Sequence, residues 1–374
     1  MAKLVQRVLA LRFSAMGDVA MTAAALREFA PTLRDSALSE SKQAIHFTMV
    51  SRPLFAPFFE GIDNVDFIAA DFNKKHKGLP GLWRLFHELR RRKPDVVVDL
   101  HDVLRTKILR LLFRLWGFKV RKINKGRREK HRLTRRRHKQ LKPLKHTIER
   151  YTDALSRGVR SARYEVQGVG CKVRGTRYGV QGARCEVKGS KANQLIIHNS
   201  SIINPLHPAL KLGIAPFAKY KGKIYPIDRM EKIVSYFAQL ENVEIFLFGG
   251  GPEEINLLAE WASKYKRVVS LAGKMPLSEE LRQLAAMDVV VSMDSANMHL
   301  ASLVGVPVVS IWGATHPFAG FTGWKQQSCN NVQIDLPCRP CSVFGNKPCF
   351  RNDYACMDIS EQVIIEKITT LLDF

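Results

Sequence analysis

The chain has 374 residues, enough for two domains with separate cores, and its 46% hydrophobic content marks a globular protein rather than a disordered one. A formal net charge of +25 implies acidic partners: a phosphorylated substrate, an anionic lipid surface or nucleic acid. No apolar run reaches the roughly 18 residues of a membrane span, and the first residues lack the apolar segment and cleavage site of a signal peptide, so a cytoplasmic location is expected.

Residues 5–13 read as a buried strand and 18–30 as a helix, joined by the turn Ser14-Ala15-Met16-Gly17-Asp18. In a parallel α/β sheet such a turn lies at the carboxyl end of the strand, where ligands bind. A carboxylate there can act as a general base on a substrate hydroxyl; Asp18 can equally serve as a helix cap. Strands follow at 45–50 and 65–69, a helix at 82–92, a buried strand at 94–100 and an apolar helix at 106–116. Strands alternating with helices predict a mostly parallel sheet. From 119 to 150 there are 15 Lys or Arg and two acids, Glu129 and Glu149. Few aromatics interleave with them, which argues against a base-stacking platform, so no nucleic acid is expected. The run reads as a solvated basic loop or as a patch facing phosphate or membrane.

Residues 162–189 are four seven-residue copies with Val fifth and Gly last, carrying Cys171 and Cys185. Recurrent Gly and low apolar content exclude a coiled coil, and the segment reads as a low-complexity insert between domains. The strand–helix alternation then restarts. Strands are expected at 210–215, 243–248, 268–271, 288–293 and 306–312, with helices at 228–240, 253–264, 277–287 and 298–304 and a closing helix at 361–372. The expected organisation is a first Rossmann-like domain at 1–155, the insert at 156–193, a second Rossmann-like domain at 194–358 and the closing helix within 359–374.

Three turns of the second domain fall at strand carboxyl ends. The turn at 217–226 offers Lys219, Lys221, Lys223 and the Gly222 backbone to a diphosphate, or is a basic surface loop. Gly249-Gly250-Gly251-Pro252-Glu253 permits close backbone approach and offers an acid to ribose hydroxyls, though a bare glycine run also fits a plain turn. In Asp294-Ser295-Ala296-Asn297-Met298-His299 a strand gives way to a helix whose N–H groups form an anion site. His299 is either a phosphate or sugar contact or a packed helix residue.

Ser14-x-x-Gly17-Asp18 together with Asp294-Ser295-x-x-x-His299-Leu300-Ala301 resembles the heptosyltransferases of glycosyltransferase family 9. Supporting pieces are the strand at 95–100 with Arg105 after it, the segment 146–151, Lys223-Ile224-Tyr225-Pro226 and Gly313-Ala314-Thr315-His316-Pro317. The resemblance covers nearly the whole chain outside the repeats. It implies a GT-B fold, α/β with two doubly wound parallel-sheet domains facing across a cleft, with the acceptor on the first domain and a nucleotide sugar on the second. It implies an inverting, metal-independent transfer of heptose from ADP-heptose to a lipopolysaccharide core or lipid A-linked acceptor, by an enzyme peripheral to the inner face of the cytoplasmic membrane. Asp18 then matches the catalytic base, and Ser14, Gly17, Arg105 and Arg150 fall on the acceptor side. Lys223, Gly250, Gly251, Glu253, Asp294, Ser295, Ala296 and His299 match the donor site. Ala296 stands where the family has Gly, and Ala314 and His316 where it has Pro and Asp. The alternatives are a GT-B transferase with another nucleotide sugar, or a basic nucleic-acid-binding protein, which leaves the three phosphate turns unexplained. A dinucleotide-dependent oxidoreductase lacks its G-x-G-x-x-G after either first strand.

Cys338-x2-Cys341-x7-Cys349-x6-Cys356 closes the second domain, with Cys329 just upstream. In a cytosolic chain this suggests a structural zinc or Fe–S group more than disulfides, or free thiols, since the spacing fits no common finger. No cofactor is expected for catalysis.

Overall fold

The computed structural model describes residues 5–36, 44–159 and 209–373. The repeats at 162–189, with Cys171 and Cys185, lie outside the described residues, as does most of the expected insert. The first half carries β1 (Val5–Leu11), α1 (Met16–Ser36), β2 (Ala44–Ser51), β3 (Val65–Ala69), α2 (Gly78–Arg90), β4 (Val96–Asp99), α3 (Leu104–Leu115), β5 (Lys119–Lys122), α4 (Arg127–Thr134) and α5 (Thr147–Ser156). Its strands form a sheet in the order β3-β2-β1-β4-β5, every pair parallel. The second half carries β6 (Leu210–Ala215), α6 (Ile227–Ala238), β7 (Val243–Leu247), α7 (Pro252–Lys264), β8 (Val268–Ser270), α8 (Leu277–Ala285), β9 (Val289–Met293), α9 (Ala296–Leu303), β10 (Val308–Trp312), β11 (Asn331–Gln333) and α10 (Glu361–Leu371). Its sheet runs β11-β10-β9-β6-β7-β8, again wholly parallel.

Helices cover both faces of each sheet, so the central strands are apolar without alternation. Every residue of β4, β9 and β10 is buried. In each sheet the strand order reverses at one point: between β1 and β4 in the first, between β6 and β9 in the second. The crevice at the carboxyl ends of such a pair is where an open α/β sheet binds its ligand. Asp18 follows β1, and the turns of Lys223 and Asp294 follow β6 and β9. Four elements escaped the sequence reading, the helices α4 and α5 and the strands β5 and β11. β5 lies inside the basic run, an edge strand with only Val120 buried and its charges exposed, as edge strands tolerate. β11 is three residues long.

The halves share a core. Ala20, Ala23 and Ala24 of α1 belong to one buried cluster with Met298, Leu300 and Ala301 of α9, and their small side chains let the two helices approach closely. Arg27 Nη1 donates to Leu303 O (2.9 Å) at the end of α9, where helix carbonyls lack partners. Trp324 Nε1 donates to Glu28 Oε1 (2.7 Å).

Part of the basic run is a strap between the halves rather than a free patch. Lys139 Nζ donates into the carbonyls of Cys338 (2.7 Å) and Arg339 (2.9 Å), with those of Pro337 and Pro340 at 3.2 and 3.3 Å. Leu144 N donates to Phe318 O (2.9 Å) and Thr147 N to Gly320 O (2.8 Å). Gly320 has φ +78°, and a Cβ there would lie 2.6 Å from Lys145 O, so only glycine fits that crossing.

The cysteine tail was expected to hold a zinc or Fe–S group or to carry free thiols. Cys338, Cys341, Cys349 and Cys356 are free thiols, and no group of three or more His, Cys, Asp or Glu among the described residues is arranged to hold a metal. Cys356 lies in the second apolar core, where burial pushes its thiol up to about 11. Cys349 Sγ donates outward to Asp353 Oδ1 (3.7 Å), and Cys341 Sγ donates to Cys338 O (3.6 Å). Cations of the chain itself cross-link this tail. The fully buried Arg339 donates to the carbonyls of Gly313, Ile334, Trp312 (3.1 Å) and Thr315 (2.8 Å) and to Gln333 Oε1 (3.1 Å). Arg339→Ala strands those acceptors and is expected to lower stability by about 3–5 kcal/mol. Arg339→Lys should recover little of it, because an ammonium lacks the fork of donors. Denaturant midpoints of the three proteins check this.

Candidate functional site

The turn after β1 carries the chain from Arg12 into the first turn of α1, where Asp18 is 26% exposed at the floor of a cleft. Its Oδ2 lies 2.6 Å from Arg12 Nη2, and its Oδ1 accepts the Tyr151 hydroxyl (3.1 Å). The carboxylate is thus held by two side chains and not by the helix N–H groups, which sets the capping role aside. Each carboxylate oxygen keeps a further acceptor position for a substrate hydroxyl. Arg12 is itself buried and fixed by Nη1 donating to Leu100 O (2.9 Å) after β4. Tyr151 is buried on α5, and burial, with Asp18 adding to it, raises its pKa, so the hydroxyl stays protonated and donates.

The cleft has a volume of about 160 Å³. Asp18 is its one carboxylate among the described lining residues, against the cations Arg12, Lys125, Lys130 and Arg150. His101 at its edge is neutral, its pKa pulled to about 3 by burial and by the neighbouring Arg12 and Lys125. Burial, with Arg150 adding to it, pulls Lys130 down to about 8; its ammonium rests over the Phe321 ring at 4.2 Å. Phe321 and Phe344 line the cleft from the second half. The described lining is net positive, with Asp18 facing four cations.

The second half brings its own cluster to this place. Asp294 is buried after β9; its Oδ2 accepts Thr315 Oγ1 (2.7 Å) and pairs with Lys223 Nζ (2.9 Å). Asp294 thus holds the Lys223 ammonium in place. Ser295 is the N-cap of α9, but its hydroxyl meets Ser292 Oγ (3.2 Å) and makes no cap bond, leaving the first N–H groups of α9, from Ala296 onward, open to an anion. His299 sits one turn into α9, buried, with no hydrogen-bond partner for Nδ1. Burial pulls its pKa to about 4 against the opposing charges of Asp294 and Asp18. The helices meet at this residue: a Cβ on Gly17 would lie 2.6 Å from His299 Cδ2. His299 is packed, and it links the Asp18 turn to the Lys223–Asp294 pair.

The other expected residues divide. Ser14 lines the cleft, as does Arg150, whose charge is already met by Glu129 (2.6 Å) and whose Nε donates to Lys145 O (3.1 Å). Arg105 lies outside the lining, stacked over Phe72 at 5.1 Å. Lys219 and Lys221 sit over Tyr220 and Tyr354, so Lys223 alone of the three joins Asp294. At the glycine turn the Glu254 carboxylate accepts from Gly250 N (2.9 Å) and Gly251 N (3.2 Å) and caps α7. Exposed Glu253 makes no hydrogen bond or ion pair among the described residues, and a Cβ on Gly250 would meet open space. Two departures from the family pattern have local reasons. Ala314 N donates to Gly222 O (2.8 Å), a bond proline cannot make, and His316 Nδ1 accepts from Phe318 N (3.0 Å), the capping work of an Asp. Sequence reasoning missed Arg12, Tyr151, Lys125, Lys130 and Thr315. Tyr151 ends a segment that carried the resemblance, and the basic run contains both lysines, but nothing local marks them out.

Among curated proteins, lipooligosaccharide heptosyltransferase 2 of Campylobacter jejuni is 29% identical over 184 residues, 48% of this chain and 54% of that protein. The chain thus spans about half the length of the curated relatives it matches. A solved glycosyltransferase family 9 structure from Veillonella parvula superposes with a TM-score of 0.67 at 19% identity, covering 98% of this chain and 97% of that one. The Escherichia coli ADP-heptose lipopolysaccharide heptosyltransferase II gives 0.61 at 16%, covering 98% of each. At these identities the likeness establishes the fold, two parallel-sheet domains in the GT-B arrangement. A family model described as glycosyltransferase family 9 (heptosyltransferase) matches residues 82–348, and the chain belongs to that family.

Proposed function

We propose that this protein is an inverting, metal-independent glycosyltransferase. It moves a heptose from a nucleotide diphosphate sugar, ADP-heptose, to an anionic acceptor of the lipopolysaccharide core, at the cytoplasmic face of the inner membrane. The observation that carries this reading is the Asp18 carboxylate, held between Arg12 and Tyr151 one residue from the Gly17–His299 contact. That contact brings a base on one domain to a phosphate-suited turn on the other. An E. coli relative of the same fold, the heptosyltransferase WaaC, is solved with ADP, which supports the choice of donor. No helix among the described residues is long and apolar enough to cross a membrane.

In this mechanism the acceptor hydroxyl gives its proton to Asp18 as its oxygen attacks the anomeric carbon. The bond from that carbon to the diphosphate breaks on the opposite face. The departing charge is met by Lys223, oriented by Asp294, and by the open N-terminus of α9, groups already in place before reaction. Glu253 is free to meet the ribose. Arg12, Lys125 and Lys130 hold the acceptor's own negative charge beside Asp18.

Asp18→Asn is expected to keep donor affinity and to lose about 10²–10⁴ in kcat. Near-normal turnover in that variant would refute the base assignment. Gly17→Ala inserts a methyl against His299, and a displacement of this kind is expected to cost about 10²-fold in kcat/KM with little change in fold, read by kinetics beside circular dichroism. Lys130 is charged below about pH 8 and neutral above it. KM for the anionic acceptor should therefore rise as pH passes upward through about 8, and Lys130→Gln should raise KM at lower pH and remove that rise.

A further inference from the structure

Helix α3 is apolar on two opposite faces. Leu109 and Phe113 point inward and are fully buried in the core beneath the first sheet. Leu104, Leu111 and Leu115 fall together on the outward face and are 74%, 56% and 69% exposed. Lys107 and Arg114 flank that stripe on one side and Arg105 on the other. The apolar surface continues onto α2, where Leu79 and Trp83 are exposed along an open groove shared with Ile108 and Leu112. From residue 103 to 122 there are seven Lys or Arg and no acid. Arg110 alone of these pairs with buried Asp99 and with Asp102.

We propose that the outward face of α3, with the edge of α2, docks on an anionic lipid bilayer. An exposed leucine stripe bordered by cations is the make-up of a helix lying in the headgroup region, leucines down and cations beside the lipid phosphates. A second copy of the same chain would set these like charges against each other, whereas a bilayer rich in acidic lipid neutralises them. The location also serves the reaction, a point that rests on the function proposed above. Val103 lines the acceptor cleft, and Leu104 follows it on the docking face, so an acceptor anchored in the bilayer presents its sugar at the cleft mouth.

The test is co-sedimentation of the full chain with vesicles, with neither donor nor acceptor present, so it stands apart from the transferase reading. The wild type is expected to bind vesicles of phosphatidylglycerol and phosphatidylethanolamine, more weakly as salt rises, and to leave phosphatidylcholine vesicles largely unbound. Leu111→Ser with Leu115→Ser should lower partitioning about tenfold or more at an unchanged Tm. Lys107→Gln with Arg114→Gln should weaken binding to the acidic vesicles and blunt its salt dependence. Equal partitioning of the leucine variant and the wild type, or no binding by the wild type, would overturn the proposal. So would conversion of a dimer to a monomer by the leucine variant in lipid-free solution, which would mark the face as an interface between copies.

Discussion

The close approach of α1 to α9 is the constraint on which the rest depends. Gly17 and the alanines of α1 give α9 a surface without bulk, and His299 fills the space left by the absent Gly17 side chain. Each helix begins at the switch point of its own sheet, so packing the two starts together also brings the two ligand crevices together. A larger side chain at Gly17 would separate Asp18 from the Lys223–Asp294 pair without disturbing either sheet. The placement of the site is thus a packing property before it is a chemical one.

Buried cations organise the remainder. Arg12 fixes Asp18 and reaches the carbonyl after β4, tying the two strands of the first switch point. Arg339 gathers carbonyls from the loops after β10 and β11, and Lys139 of the strap enters a ring of tail carbonyls a few residues away. A guanidinium is well suited to such a place, since its planar fork satisfies several acceptors at once. The same tail contributes Phe344 to the cleft at Asp18, which Thr147 at the end of the strap also lines. The positive charge of this chain therefore has several uses: bracing the two halves, lining the cleft and bordering the outward face of α3.

The fold was legible where burial writes itself into the sequence. The continuous apolar runs of β4, β9 and β10 and the period of α2 and α8 fixed the alternation of strand and helix. β5 was not, because an edge strand needs only one buried residue and its lysines and arginines read as a loop. Asp18, Lys223, Asp294 and His299 stood out because they lie at strand-to-helix junctions, whose place is local information. Tyr151, Lys130 and Thr315 reach the site only through tertiary packing, 133 residues from Asp18 in the case of Tyr151. The bonds of Arg339 and Lys139 to the carbonyls around the cysteine tail were not legible, because those acceptors come together only in the fold. The basic run suggested an open patch because sequence cannot show which of its charges turn inward.

The proposed mechanism turns on a single displacement with Asp18 as base. The most direct measurement is the anomeric configuration of the product, read by NMR from a donor of defined configuration. Inversion at the transferred carbon is the expected result. Retention would require a glycosyl–enzyme intermediate or attack from the leaving-group face, and would contradict it.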